Sequence, residues 1–161
     1  MNESKLIVID THTMPWEERF NEKIGRALFR KELYTDPETG GLIRLVRYPA
    51  GVINPRHTHP CGHGMYVLEG KLVTHAGTYG PGTFVWFPEG EVMEHGASSE
   101  GDVTVFFVTN KAFRMDYVEE MMQFWSDKIM KFSFSNFTKQ YSLSMYWSSL
   151  TLTTSGQQVS M

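Results

Sequence analysis

Three of the six histidines fall within seven residues of the stretch GVINPRHTHPCGHGMYVLEG, Gly51 to Gly70. His57 and His59 are two apart, and in an extended strand alternate side chains point to the same face, so one strand presents two neutral nitrogen ligands side by side. A step through Pro60, Cys61 and Gly62 then brings His63, and GMYVLEG reads as a strand entering a turn. A closing ligand must come from elsewhere, and His95 in EVMEHGAS is the best placed histidine to supply it. His57, His59 and His95 are therefore expected to hold a metal ion, with glycine-rich loops letting backbone come close. His63 either coordinates as a fourth ligand or donates a hydrogen bond to one. His12 and His75 have no ligand-type partner at a useful spacing and read as ordinary surface or core residues. Cys61 could ligate as thiolate, but the bend beside Pro60 aims it elsewhere, and an oxidisable free thiol is expected.

The flanking sequence is a series of short strands. Leu6 to Ile9 reads as an edge strand, followed by a polar connection through Pro15. Ile24 to Leu33 is strand or helix, undecided by propensity. Tyr34 to Gly41 is a turn marked by Asp36-Pro37 and Gly40-Gly41. Strands follow at Leu42 to Tyr48, Met65 to Leu68, Lys71 to His75, Thr78-Tyr79, Thr83 to Phe87, Val92 to Ala97 and Val103 to Thr109, with Gly/Pro turns between them. Short strands at this spacing point to an all-β sandwich or barrel. From Asp116 the period changes: Val118, Met121, Met122, Trp125, Ile129 and Phe132 recur three or four apart, predicting an amphipathic helix that packs on the barrel, with Asp116 and Glu119 at its start. Twelve of the last 29 residues are Ser or Thr, and Lys139 is their only charge. Their alternating aromatics suit extra strands, a weakly ordered tail, or pairing across a dimer.

Composition narrows the class. At 161 residues the chain suits one domain with a sizeable core. The expected division is residues 1–118 as barrel with N-terminal strands and 119–161 as helix and tail, the latter not a separate domain. Fifteen basic and 18 acidic residues give a net charge of −3 without a basic run, which argues against nucleic-acid or membrane partners. MNESKLIVID has no signal-peptide pattern and no apolar run reaches membrane-spanning length. A single cysteine agrees with a reducing compartment, so a cytoplasmic location is expected.

The histidine spacing resembles the cupin superfamily, whose first motif runs Gly, five residues, His-x-His, three or four residues, Glu, six residues, Gly. Gly51, His57, His59 and Gly70 fall in register, with His63 where the family has glutamate. The second motif is matched by Gly82, Pro88 and Gly90, with His95 two residues late, an offset that preserves strand parity. The resemblance implies a small antiparallel double-stranded β-helix barrel, here with a C-terminal helix, and a homodimer. Within the family, all-histidine sites are similar to iron-dependent dioxygenases cleaving carbon–carbon bonds in β-diketones such as acetylacetone and in dihydroxyacetophenones, and PRHTHPCGHGMYVLEG looks most like the latter. The implied cofactor is one divalent transition metal, Fe(II) first, with Zn, Ni or Mn also suited to imidazole. The implied partner is a small-molecule substrate.

Neutral ligands leave the ion's charge intact, which favours an anionic chelating substrate. Met65 and Val67, in step with His63, are expected to line the substrate pocket, and Phe84 and Trp86 share a face that is either pocket wall or outer packing. Arg44 and Arg47 have opposite parity. An inward arginine would clamp an anion, although exit at the sheet edge with its charge in water is the weightier reading. Three classes stay open: an Fe(II) dioxygenase of a small enolisable or phenolic ketone, a metal-dependent isomerase, lyase or hydrolase using no O₂, and a non-catalytic sensor or binding module.

Overall fold

A computed structural model of the chain describes residues 6–119 and 121–129. Eleven strands are formed among the described residues: β1 Glu17–Asn21, β2 Arg26–Thr35, β3 Leu42–Tyr48, β4 Ile53–Thr58, β5 His63–Glu69, β6 Leu72–Thr74, β7 Gly77–Tyr79, β8 Phe84–Phe87, β9 Met93–Ala97, β10 Val103–Thr109 and β11 Asp116–Tyr117. They form two antiparallel sheets, one in the order β1-β2-β3-β10-β5-β8, the other β11-β4-β9-β6-β7. The all-β antiparallel class read from the turn spacing is the observed one. The core draws on both sheets: Val46, Met65, Val67, Val103, Val105 and Phe107 from the first meet Leu72, Met93 and Ala97 from the second. The strand β10, VTVFFVT, is rich in β-branched and aromatic residues and lies between β3 and β5, where both of its ladders are satisfied.

Turn chemistry sets the strand ends. Asp36 Oδ1 accepts from the backbone of Glu38 and Thr39 at 2.9 and 2.8 Å, closing the β2–β3 turn. Gly40 completes it at φ 70°, where a side chain would also strike Ala112.

Three segments differ from the sequence expectation. Leu6 to Ile9 form no strand and are exposed, because the sheet edge beside β2 is taken by β1. That polar strand, EERFN, pairs with β2 from Glu17↔Arg30 to Asn21↔Arg26, and the ambiguous segment after it is thereby strand rather than helix. Asp116 does not start the helix: it pairs with Thr58 and Tyr117 pairs with His57. Tyr117 Oη donates to Asn54 Oδ1 at 3.0 Å and accepts from Asn21 at 2.8 Å, bonds that a helical turn would break.

The first compact unit ends at Val118. Residues 118, 119 and 121–129 are helical, and Met122, Trp125 and Ile129 of the expected packing stripe are exposed. Phe132 of that stripe and the whole Ser/Thr-rich tail lie outside the described residues. No helix among the described residues is long and apolar enough to cross a membrane.

Candidate metal centre

Four imidazoles arrive from three chain segments. His57 is on β4, whose register shifts between Asn54 and His57. His95 is on the neighbouring β9, paired with Asn54 on one side and Thr74 on the other. His59 follows the end of β4, its carbonyl accepting from Gly90 N at 3.0 Å. The bend through Pro60 to Gly62 is pinned twice at Gly62, whose N donates to Asn110 Oδ1 at 3.0 Å and whose O accepts from Asn110 N at 3.1 Å. His63 therefore opens β5 in the opposite sheet, facing back toward His59.

All four rings are at most 1% exposed. One nitrogen from each of His57, His59 and His95 lies within 4.8 Å of the others. His63 stands beside this triad, its ring centroid 4.8 Å from His59 and 5.9 Å from His95. It is held between Phe87, stacked at 4.7 Å, and Phe107 at 5.0 Å.

The hydrogen-bond pattern fixes two tautomers. Nδ1 of His57 donates to Pro55 O, and Nδ1 of His59 to Arg114 O, each at 2.6 Å. Each Nε2 is thus left with a lone pair, buried and without a partner, as are both ring nitrogens of His63 and His95. Burial lowers all four imidazole pKa values, His59 to about 4, His63 to about 3, and His95 well below the ordinary range. The rings are neutral at pH 7, the form that ligates metal. Buried, neutral, unpartnered imidazole nitrogens converging from two sheets fit a divalent transition metal, since orphaned polar atoms are otherwise costly.

His59 and His95 of the triad open onto a cavity of about 410 Å³ that is also lined by Arg44, Tyr48, Phe107 and Phe113. Arg44 points inward, against the weightier sequence reading. Its side chain is 11% exposed, and its guanidinium lies 4.7 Å from the ring centres of both Phe107 and Phe113. Arg47, on the other face, covers Trp16 at 4.4 Å. Tyr48 meets His95 edge-on at 5.8 Å, and burial pushes its phenol up, so it stays protonated. Residues 19–23, at the end of β1 and in the turn beyond it, form the cavity's outer lip. Sequence reasoning missed Tyr48, Phe107, Phe113 and this lip. The first was detectable, because Arg44, Val46 and Tyr48 share parity.

Met65 and Val67 are fully buried in the core beneath the histidines and are not among the cavity's lining residues. Phe84 and Trp86 lie on the outer face, 54% and 49% exposed, with Phe87 on the inner face. The physical reason is that they cover glycines: a Cβ on Gly62 would come within 2.6 Å of the Trp86 ring, and one on Gly64 within 2.5 Å of Phe84. Cys61 is free but wholly buried, and burial raises its thiol pKa. An oxidisable thiol was expected, and this environment opposes it. His12 is exposed, and His75 lies on the surface 3.9 Å from Glu91.

Comparison with known proteins agrees with this architecture. No curated protein matches the chain in sequence. Among solved structures, a Ralstonia eutropha protein of unknown function with a cupin-like fold is 18% identical, covering 81% of this chain and 89% of its own, with a TM-score of 0.59. A candidate acetylacetone dioxygenase from Methylibium petroleiphilum is 16% identical over 68% of this chain and 81% of its own, TM-score 0.57. The Rhodobacter sphaeroides complex of SigE with the anti-sigma ChrR matches at 20% identity over 63% of this chain and 52% of the matched chain, TM-score 0.52. At these identities the likeness is one of fold, and the fold is that of the cupins. Residues 4–113, which include all four clustered histidines, match the model of the ChrR cupin-like domain, and the chain belongs to that family.

Proposed function

We propose that this chain is a mononuclear metal enzyme, a non-haem Fe(II) dioxygenase that cleaves a carbon–carbon bond in a small enolisable or phenolic ketone. The observation that carries the reading is the triad of buried, unpartnered imidazole nitrogens within 4.8 Å of one another beside a largely apolar cavity. His57, His59 and His95 would hold the ion, with His63 as a fourth donor or as a hydrogen-bond donor to its ligands. When bound, the ion supplies Lewis acidity and, as Fe(II), the one-electron chemistry that O₂ requires. Pro55 O and Arg114 O orient two of the rings through Nδ1. Phe87, Phe107 and Phe113 surround the rings with apolar surface, which excludes water and strengthens electrostatic interactions inside. The dioxygenase reading is supported by the fold likeness to a candidate acetylacetone dioxygenase, and Fe(II) is the ion that such chemistry with O₂ favours; imidazole donors alone also suit Zn, Ni and Mn. A homodimer belongs to the same proposal, supported by the exposed outer-face strip of Tyr66, Leu68, Phe84 and Trp86, and the single cysteine of the chain is in keeping with a cytoplasmic location. A monomer mass in sedimentation would remove the dimer.

Metal analysis of protein purified without added metal tests the site. Wild type should carry close to one equivalent of transition metal, and His57→Ala and His95→Ala should each lose most of it; retention by both refutes the site. Oxygen-electrode traces with a β-diketone panel test the reaction, because turnover unchanged under argon would point to an isomerase or lyase. A second reading, a sensor module whose metal or ligand occupancy alters association, is favoured by membership of the ChrR cupin-like family and by likeness to a chain seen in complex with SigE. It gains if no diketone is converted while metal changes the protein's association state.

A further inference from the structure

Resting on the metal-enzyme reading of the same cavity, we propose that its substrate carries a carboxylate and that Arg44 receives it. The ligand class is then an enolisable ketone acid, chelating through its oxygens at the imidazole end and held by its carboxylate at the guanidinium end.

Arg44 sits one ring's width from the histidines. Phe113 lies 4.7 Å from the guanidinium and 4.6 Å from the His59 ring, and Phe107 lies 4.7 Å from the guanidinium and 5.0 Å from His63. A molecule filling the 410 Å³ between them touches both ends. The two phenyl rings engage the guanidinium as a cation and leave its in-plane N–H groups for an acceptor. Nε is buried without any partner, a state that native proteins avoid unless a ligand relieves it.

Glu32 pairs with Arg44 and offsets this charge only in part. Its Oε1 is 3.4 Å from Arg44 Nη1, it is shared with Arg30 at 3.2 Å, and its side chain is 39% exposed. Two further cations on the cavity wall are paired more closely and are more exposed, Arg19 with Glu17 and Arg30 with Glu17 and Glu32, so Arg44 is the buried guanidinium that meets the cavity. A planar fork, largely buried and unsaturated in hydrogen bonds, is the arrangement that selects carboxylate over a neutral group. A purely structural arginine would instead be saturated by its own carboxylate partner.

Calorimetric titration of the full-length protein, loaded with one equivalent of Zn(II) to prevent turnover, tests this with two probes. Benzoylpyruvate and benzoylacetone are both aryl β-diketones that differ by a carboxylate in place of a methyl. Benzoylpyruvate should bind about 10- to 100-fold more tightly, as a charged hydrogen-bonded pair implies. Arg44→Gln should abolish most of that preference, read as the ratio of the two affinities in the same protein, and Arg44→Lys should restore only part of it. Glu32→Gln, which does not depend on the folding of an Arg44 variant, should raise the preference. Equal affinity of wild type for the two probes overturns the role of Arg44 and leaves the metal cavity standing. A preference that survives in Arg44→Gln reflects chelation by the carboxylate itself and likewise overturns it. Zinc uptake with binding of neither probe overturns both this inference and the diketone reading, and failure to take up zinc refutes the metal site itself.

Discussion

His59 and His63 show how strongly the interior disfavours a charged imidazole. Burial takes them from an ordinary 6.5 to about 4 and about 3. As pH falls, the unfolded chain takes up these protons first, so the stability they contribute is complete above pH 6.5 and is lost on descent toward the folded values. The slope reaches about 1.4 kcal/mol per pH unit for each titrating group. The denaturant midpoint of the metal-free protein should therefore drop steadily from pH 6.5 to 4; a flat profile would mean that these rings are solvated. Cys61 provides a second check at this scale. Being wholly buried with a raised thiol pKa, it should resist thiol reagents in the native protein and react in full after unfolding. Rapid native labelling would contradict the packing around Gly62.

At the level of strands, β4 and β9 approach so closely that a Cβ on Gly96 would fall on the carbonyl oxygen of Val52, well inside contact distance. Gly96→Ala should lower stability by about 1–3 kcal/mol, read as a shifted denaturation midpoint at unchanged m-value, and should weaken metal retention through the adjacent His95. Phe84→Ala and Trp86→Ala, by contrast, should leave metal content unchanged, since both rings cover glycines on the outer face. What the sequence disclosed follows the same division. The strands from β3 to β10 were legible because alternation and Gly/Pro turns agree, whereas β11 was read as the start of a helix; His57 and His59 could be paired by parity, and His95 was chosen from its place after the Gly/Pro turn. β1 was not, because EERFN has no apolar face and holds its place by pairing with β2. Nor was the direction of Arg44, because LIRLVRY carries apolar residues on both faces. It takes Phe107 and Phe113, which lie more than sixty residues further along the chain, to decide which face turns in.

On the scale of the molecule, everything assigned to the site lies within the unit that ends at Val118. A chain truncated after that residue should fold and take up metal with the stoichiometry of the full protein; loss of uptake would show that the C-terminal segment completes the site. The four imidazoles also belong to both sheets, His57 and His95 to one and His63 to the other. An ion shared among them would act as a clasp across the sandwich, and its grip would add to the free energy of keeping the two layers together. Chelation would then soften the whole architecture at once instead of emptying a pocket in an otherwise unaltered shell, and hydrogen exchange would quicken in β5 as much as in β4 and β9.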